Sequence, residues 1–199
     1  MCKQGDEYAE FRNNASARAA CLVPTFGNPG SDVLLAADTM SSAPNIAIGR
    51  LAARQESDIQ IYLDKIIEYD QQFYNVGDPY QTVANKIFMK NLVHLSGGIN
   101  AQEQSTFKNY LLSYENTAKD TLWGVKVESI NKNTNVPIQT LASQRITDRI
   151  NNGVSLITFF GHSYAGGFDI NFDDPENYNN EGKYPVVLAN GCNAGIIHN

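Results

Sequence analysis

His162 and Cys192 are the residues of this chain best suited to covalent chemistry. Each follows a short apolar run that reads as a buried strand. Val154-Ser-Leu-Ile-Thr-Phe-Phe160 leads into Gly161-His162-Ser163, and Tyr184-Pro-Val-Val-Leu-Ala189 leads into Asn190-Gly191-Cys192-Asn193. If both runs lie in one parallel sheet, both side chains emerge at its carboxyl edge, where α/β folds place their ligands. A free thiol is only a few per cent thiolate at neutral pH. A neighbouring imidazole raises that fraction and then carries the proton to a leaving amine. Thiol and imidazole together are the minimum equipment of a cysteine hydrolase.

Small residues flank both groups. Gly191, Ala194 and Gly195 surround the thiol, and Gly161, Ser163, Ala165, Gly166 and Gly167 surround the imidazole. They leave room for a peptide backbone, and the backbone N–H groups of Ser163 and Cys192 are candidates for stabilising an oxyanion. A lone cysteine also reads as a small buried hydrophobe, so spacing alone leaves both readings open. Of the other histidines, His94 lies inside an apolar run and reads as a satisfied core residue, while His198 near the chain end has no informative context.

The elements that must position these groups are legible from about Asn45 onward. Residues 1–45 are poorly patterned, with Pro24, Gly27, Asn28, Pro29 and Gly30 marking a loop. They are assigned as an N-terminal segment of the same domain, with the catalytic domain over 46–199. Asn45-Ile-Ala-Ile-Gly49 reads as a short buried strand. From Glu56 a helix is expected, with acids in its first turn and Ile59, Leu63, Ile66 and Ile67 on one face. Residues 71–86 read as loop.

Asn91-Leu-Val-His-Leu95 is the next strand, stopped by Ser96-Gly97-Gly98. A helix from about Gln102 carries Phe107, Tyr110, Leu111 and Tyr114 at helical spacing. Gly124–Ile130 alternates and reads as a strand near a sheet edge. Pro137 opens a helix with Ile138, Leu141, Ala142, Ile146 and Ile150 inward, closed by Gly153. The two site strands follow, separated by a polar loop over 164–183. Repeated strand–helix alternation predicts an α/β fold with a mainly parallel sheet flanked by helices on both faces.

Composition narrows the function classes. The 199 residues suffice for one domain with a real core. A formal net charge of -6, a pI of about 5.0 and the lack of a basic patch argue against a nucleic-acid partner. No apolar stretch approaches the roughly 20 residues of a membrane span, and no signal-peptide pattern follows Met1. The chain is therefore either cytosolic or a piece of a longer exported one, and its abundant Asn, Tyr and Gly lean towards export. Cys2, Cys21 and Cys192 are widely spaced with no CxxC, which argues against a zinc knuckle or a disulfide framework. No cofactor or metal is expected. The acids Asp169, Asp173, Asp174 and Glu176 lack EF-hand spacing, and a solvated acidic loop is favoured over a calcium site. Arg50 and Asp32 read as structural, as a surface ion pair and a turn cap.

Gly161-His162-Ser163 and Tyr184-Pro-Val-Val-Leu-Ala-Asn-Gly-Cys192, each after a hydrophobic strand, resemble the gingipain-type cysteine peptidases (peptidase family C25) and the related type IX secretion sortases. These belong to the caspase-like group. The separation of the two residues, 192 − 162 = 30, is similar to the gingipain pattern. Pro24-Thr-Phe-Gly-Asn-Pro-Gly-Ser-Asp32, Ile46-Ala-Ile-Gly-Arg50, the Asp64-Lys65 to Tyr69 helix and Ile150-Asn-Asn-Gly153 extend the resemblance over most of the chain from Pro24.

The resemblance implies a caspase-like domain in which Cys192 is the nucleophile and His162 the general base and acid, with Ser163 and Cys192 amides as the oxyanion hole. The implied activity is cysteine endopeptidase or secretion-linked sortase, acting on a protein or peptide. Possible partners are other secretion-system components, and the implied location is extracellular, at the cell surface or outer membrane. Three departures stand out. Ser163 replaces the usual Gly, Gly191 replaces the usual Ala, and Ser96-Gly97-Gly98 lacks the acid that orients the imidazole, leaving Glu103 as the nearest candidate. Only Asn193–Asn199 follow the cysteine, so the domain is expected to be incomplete at the C-terminus. The alternative expectation is a catalytically inactive caspase-like scaffold or binding module, suggested by the altered motif residues. A flavodoxin-like regulator is disfavoured because no phosphate-binding loop follows the first strand.

Overall fold

A computed structural model of the chain describes residues 15, 32–38, 41, 43–51, 53, 55–74, 82–120, 122–135, 143–164, 167–172, 175–192 and 194. The chain divides into two compact units, one of Tyr62–Gly195 and one of Met1–Ile61 with Ile196–Asn199.

In the N-terminal unit, Val33–Leu35 form a 3-10 turn and Ala37 bridges Pro44. Arg50 grips Asp32 through two side-chain bonds of 2.6 Å, which holds the Asp32 carboxyl below its usual pKa range. The ion pair expected of Arg50 is present, while Asp32 makes no side-chain cap bond and is instead its partner, which corrects the turn-cap reading. Asn45–Gly49 is not a strand: Ile46 and Ile48 are exposed and no described segment pairs with them. A short apolar alternation has no ladder to join without a partner, and that expectation is corrected.

Helix α1 runs Glu56–Tyr74, with Glu56 and Asp58 where the helix dipole favours acids. It starts where expected and extends into the segment read as loop. Its Ile59, Leu63, Ile66 and Ile67 remain exposed. Val83–Lys86 and Ile87–Lys90 are short helical turns leading into the sheet.

The sheet positions the site. Strands β1 (Asn91–Ser96), β2 (Lys126–Asn131) and β3 (Leu156–Phe160) are followed by a two-stranded hairpin, β4 (Ser163–Tyr164) with β5 (Gly167–Phe168), and then by β6 (Val186–Asn190). The main sheet has the order β2-β1-β3-β6 and every pairing in it is parallel. Helix α2 (Ala101–Ala118) connects β1 to β2, and α3 (Ser143–Asn152) precedes β3. Both strand and helix positions match the sequence reading. The start expected for α3 at Pro137 lies outside the described residues.

Strand alternation assigns the faces. Val93 and Leu95 of β1 pack with Ile157 and Phe159 of β3 and with Ile146 and Ile150 of α3. Leu92, on the opposite face, packs with Ala118 of α2 and Val125. Helices thus cover both faces, as a parallel sheet requires. Two expectations need correction. β6 is exposed along its length rather than buried, because among the described residues it is the outermost strand and only β3 flanks it. The 164–183 stretch is not simply a polar loop. It begins with the hairpin, and its Asp169, Ile170 and Phe172 are buried, the two apolar residues in the α3-side core. Asp173 and Asp174 lie outside the described residues.

His94, on the Leu92 face, is 2% exposed and its Nδ1 has no hydrogen-bond partner. It is a core histidine, but not a fully satisfied one. Burial pushes its pKa below the usual 6.5, against the opposing pull of the Glu115 charge and a backbone hydrogen bond at Leu111, with Lys119 adding to the downward push. The unfolded chain therefore binds the proton more readily than the folded one. Stability is expected to fall as pH drops below about 6.5, with a slope of at most about 1.4 kcal/mol per pH unit, until the folded-state value is passed. Urea denaturation between pH 7 and 5 should show this slope, and His94→Gln should remove it. The lowered carboxyls of Asp32, Glu103 and Glu115 act only below the ordinary carboxylate range, so they do not blur this window. An unchanged slope in His94→Gln would assign the effect elsewhere.

Candidate active site

The carboxyl rim of the sheet is stitched by backbone bonds that extend past the strands. Gly97 N–H donates to Phe160 O at 2.9 Å, Gly161 N–H to Asn190 O at 3.2 Å and Lys132 N–H to Ser96 O at 2.8 Å. Phe160 is in register with Asn190, so two residues further along each chain bring His162 and Cys192 out on neighbouring strand ends. They share one rim of one sheet. Ser163 is drawn to the same place, its hydroxyl donating to the Cys192 carbonyl. Cys192 is a free, exposed thiol.

His162 is held from α2. Its Nε2 lies 2.9 Å from Glu103 Oε2, and the Phe107 ring meets the imidazole edge-on at a centroid distance of 5.8 Å. Glu103 and Phe107 are four residues apart and so occupy one helix face. Phe107 also packs on Phe160, at 4.7 Å between centroids, which ties this helix face to the end of β3. Glu103 is itself fixed by the helix start. Asn100 caps the helix by accepting the Glu103 N–H at 3.0 Å, and Glu103 Oε2 accepts the Ile99 N–H at 3.0 Å. This is a capping-box arrangement displaced by one residue. The Ile99 N–H and then the His162 contact hold the Glu103 carboxyl below its ordinary pKa range, so it is ionised at neutral pH. An anionic acceptor at Nε2 favours the tautomer with the proton on that nitrogen, which leaves the ring's lone pair on Nδ1.

The family model for peptidase family C25 matches residues 4–199 of this sequence. The chain belongs to peptidase family C25. No curated protein and no solved structure matched it. C25 is the gingipain family of cysteine peptidases, and its caspase-like fold is the one seen here: four parallel strands with helices on both faces.

Two of the departures from the usual C25 motif explain each other. A Cβ on Gly191 would lie 2.5 Å from Ser163 Oγ and 3.1 Å from the Phe159 ring. The side chain of Ser163 occupies the space that a methyl group at position 191 would need. A serine after the histidine thus goes with a glycine before the cysteine.

The third departure, the lack of an acid at the end of β1, is answered by Glu103 from the first turn of α2. It reaches the imidazole that the expected acid would have oriented. What the sequence reading missed is a buried ion pair beside the rim. Asp169 Oδ2 accepts the Gly98 N–H at 2.7 Å and lies 3.4 Å from Lys132 Nζ, with the two side chains 4% and 0% exposed. The signal available was Phe168-Asp-Ile-Asn-Phe172, where apolar residues recur at every second position. That is the pattern of a packed segment rather than of a solvated loop. Among the described residues, no cluster of three or more His, Cys, Asp or Glu could hold a metal ion.

Proposed function

We propose that this chain carries the catalytic centre of a cysteine endopeptidase or secretion-linked sortase built on Cys192, His162 and Glu103. In this reading the Cys192 thiol gives its proton to His162 Nδ1, and the sulfur attacks the carbonyl carbon of a peptide bond. The resulting oxyanion takes backbone N–H bonds from Ser163 and Cys192. The C–N bond then breaks, the imidazolium returns the proton to the leaving amine, and an acyl-thioenzyme remains. Water, or an amine in the sortase variant, releases the acyl group with His162 again as base. Glu103 stays ionised and holds the ring in one tautomer and one orientation throughout.

The observation that carries this reading is the 2.9 Å contact between Glu103 and His162, made at the rim where the neighbouring strand delivers Cys192. An orienting carboxylate on a strand-end imidazole is what a working base needs. The membership of C25 supports the same conclusion at family level. The reading includes export: we take the chain to act outside the cytoplasm or at the outer surface as part of a longer protein, alongside other secretion components.

An electrophilic peptide probe tests the chemistry. The parent protein should be labelled stoichiometrically at Cys192, and Cys192→Ala should not be labelled at all. Labelling that persists in the variant removes Cys192 as the nucleophile. A thiol that stays unlabelled in the parent, with partner binding intact, would favour the inactive-scaffold alternative.

A further inference from the structure

We propose that Asp169 is a positioning residue for the Glu103–His162 pair. The inference rests on the catalytic reading above and adds a residue to it. The Asp169 carboxylate is almost completely buried, and its charge is matched by the equally buried Lys132. Its Oδ2 accepts the Gly98 N–H at 2.7 Å. The next peptide along, at Ile99, donates its N–H to the same Glu103 oxygen that meets His162. On its other side, the Asp169 backbone N–H donates to the His162 carbonyl at 2.9 Å. One residue therefore grips the turn that aims Glu103 and the segment that carries His162.

The surroundings are shaped for this carboxylate. A Cβ on Gly97 would sit 2.6 Å from Asp169 Cγ, and one on Gly161 would sit 2.7 Å from its Oδ1. Oδ1 has no hydrogen-bond partner and fits against these two glycines at the ends of β1 and β3. A buried ion pair gives little net stability over an apolar pair of the same size. What this one supplies is a fixed spacing between two strand ends, where small displacements cost a reacting group its geometry.

The His162 ring reports on that spacing. Among the described residues, the groups that face or neighbour it are Glu103 from α2, Cys192 from the end of β6, and the Asp169–Lys132 pair beside Gly161. Glu103 at Nε2 fixes which ring nitrogen carries the proton, so releasing Glu103 frees the ring to change tautomer. The experiment reads the His162 ring tautomer from its 15N NMR shifts at one fixed pH in the full-length protein, with kcat/KM measured alongside. Lys132→Met/Asp169→Leu removes both charges and the acceptor for Gly98. It should move the His162 ring shifts as far as Glu103→Gln does, lower kcat/KM by about the same factor, roughly tenfold, and show no further shift when Glu103→Gln is added. Lys132→Met/Asp169→Asn removes both charges but keeps an acceptor for Gly98, and should keep the parent's ring shifts. If the Leu variant does not fold, Lys132→Met/Asp169→Ala adds no volume against Gly97 and is read in the same way.

The proposal is overturned if the folded Leu or Ala variant keeps the parent's ring shifts while losing thermal stability. It is also overturned if its shift adds to that of Glu103→Gln, or if the Asn variant shifts as far as the Leu variant. Should the parent show no peptidase activity, the catalytic reading fails but the ring shifts still decide whether Asp169 sets the Glu103–His162 contact.

Discussion

Replacing His162 by alanine is expected to lower kcat/KM on a peptide substrate about 10⁴-fold while leaving the folding free energy within about 0.5 kcal/mol of the parent. The two halves of this expectation come from the same geometry. The imidazole is 46% exposed, and its contacts are the Glu103 carboxylate and the edge of Phe107. Little core packing is lost when it goes. Chemically it is the only described histidine on the rim with Cys192, since His94 is buried inside β1. Without it the thiol loses its proton acceptor and the leaving amine its proton donor. Cys192→Ala should cost as much, and the double variant no more than either single one, because residues that act as one unit lose their function together. Glu103→Gln should be much milder, since glutamine can still accept a hydrogen bond from Nε2. Initial rates with a fluorogenic peptide and a denaturation curve measure both quantities. His162→Ala retaining a tenth of the parent rate would rule out its role as the base.

The sequence carried the sheet well and the rim only in part. The runs at Asn91–Leu95 and 154–160 are short, mainly apolar stretches followed closely by glycine, the pattern of strands buried on both faces. Their alternation with helices implied parallel pairing, which in turn put His162 and Cys192 on one edge. Glu103 was legible as the nearest acid to the empty end of β1. Its aim was not, because that comes from the Asn100 cap and the Ile99 N–H. The strand expected at Asn45–Gly49 failed because a period of two describes a strand's faces and says nothing about whether a partner exists. β6 was recognised as a strand but not as an edge, since its Val-Val-Leu run gives no sign of which neighbours are present. Asp169 was read as part of an acidic loop because its burial depends on Lys132 and Gly98, 37 and 71 residues away. No local pattern announces such a pairing.

The glycine pair after β1 counted, in the sequence, as a sign of lost activity, since an acid was expected there. The structure gives it another cause, and Gly97→Ala tests that cause. The variant is expected to destabilise the protein by about 3–5 kcal/mol. A methyl group at position 97 would overlap the Asp169 carboxylate, with Cγ only 2.6 Å away and Oδ1 closer still. Asp169 has no free direction in which to retreat. Gly161 walls its Oδ1, and Oδ2 is committed to Gly98 and Lys132. If the carboxylate is expelled, Lys132 is left buried without its partner, the expensive half of a broken ion pair. If it stays, the β1 end must move away from β3 and the Gly97–Phe160 bond is lost. Lys132→Met/Asp169→Ala should therefore rescue Gly97→Ala, because the pair removed is the one the methyl disrupts. Chemical denaturation of the four proteins closes the cycle. A Gly97→Ala variant as stable as the parent, or one that the double change cannot rescue, would mean that the space beside β1 is not held by Asp169. The glycine at this strand end thus goes with occupancy: the Asp169 side chain, just past the hairpin, fills the space beside Gly97.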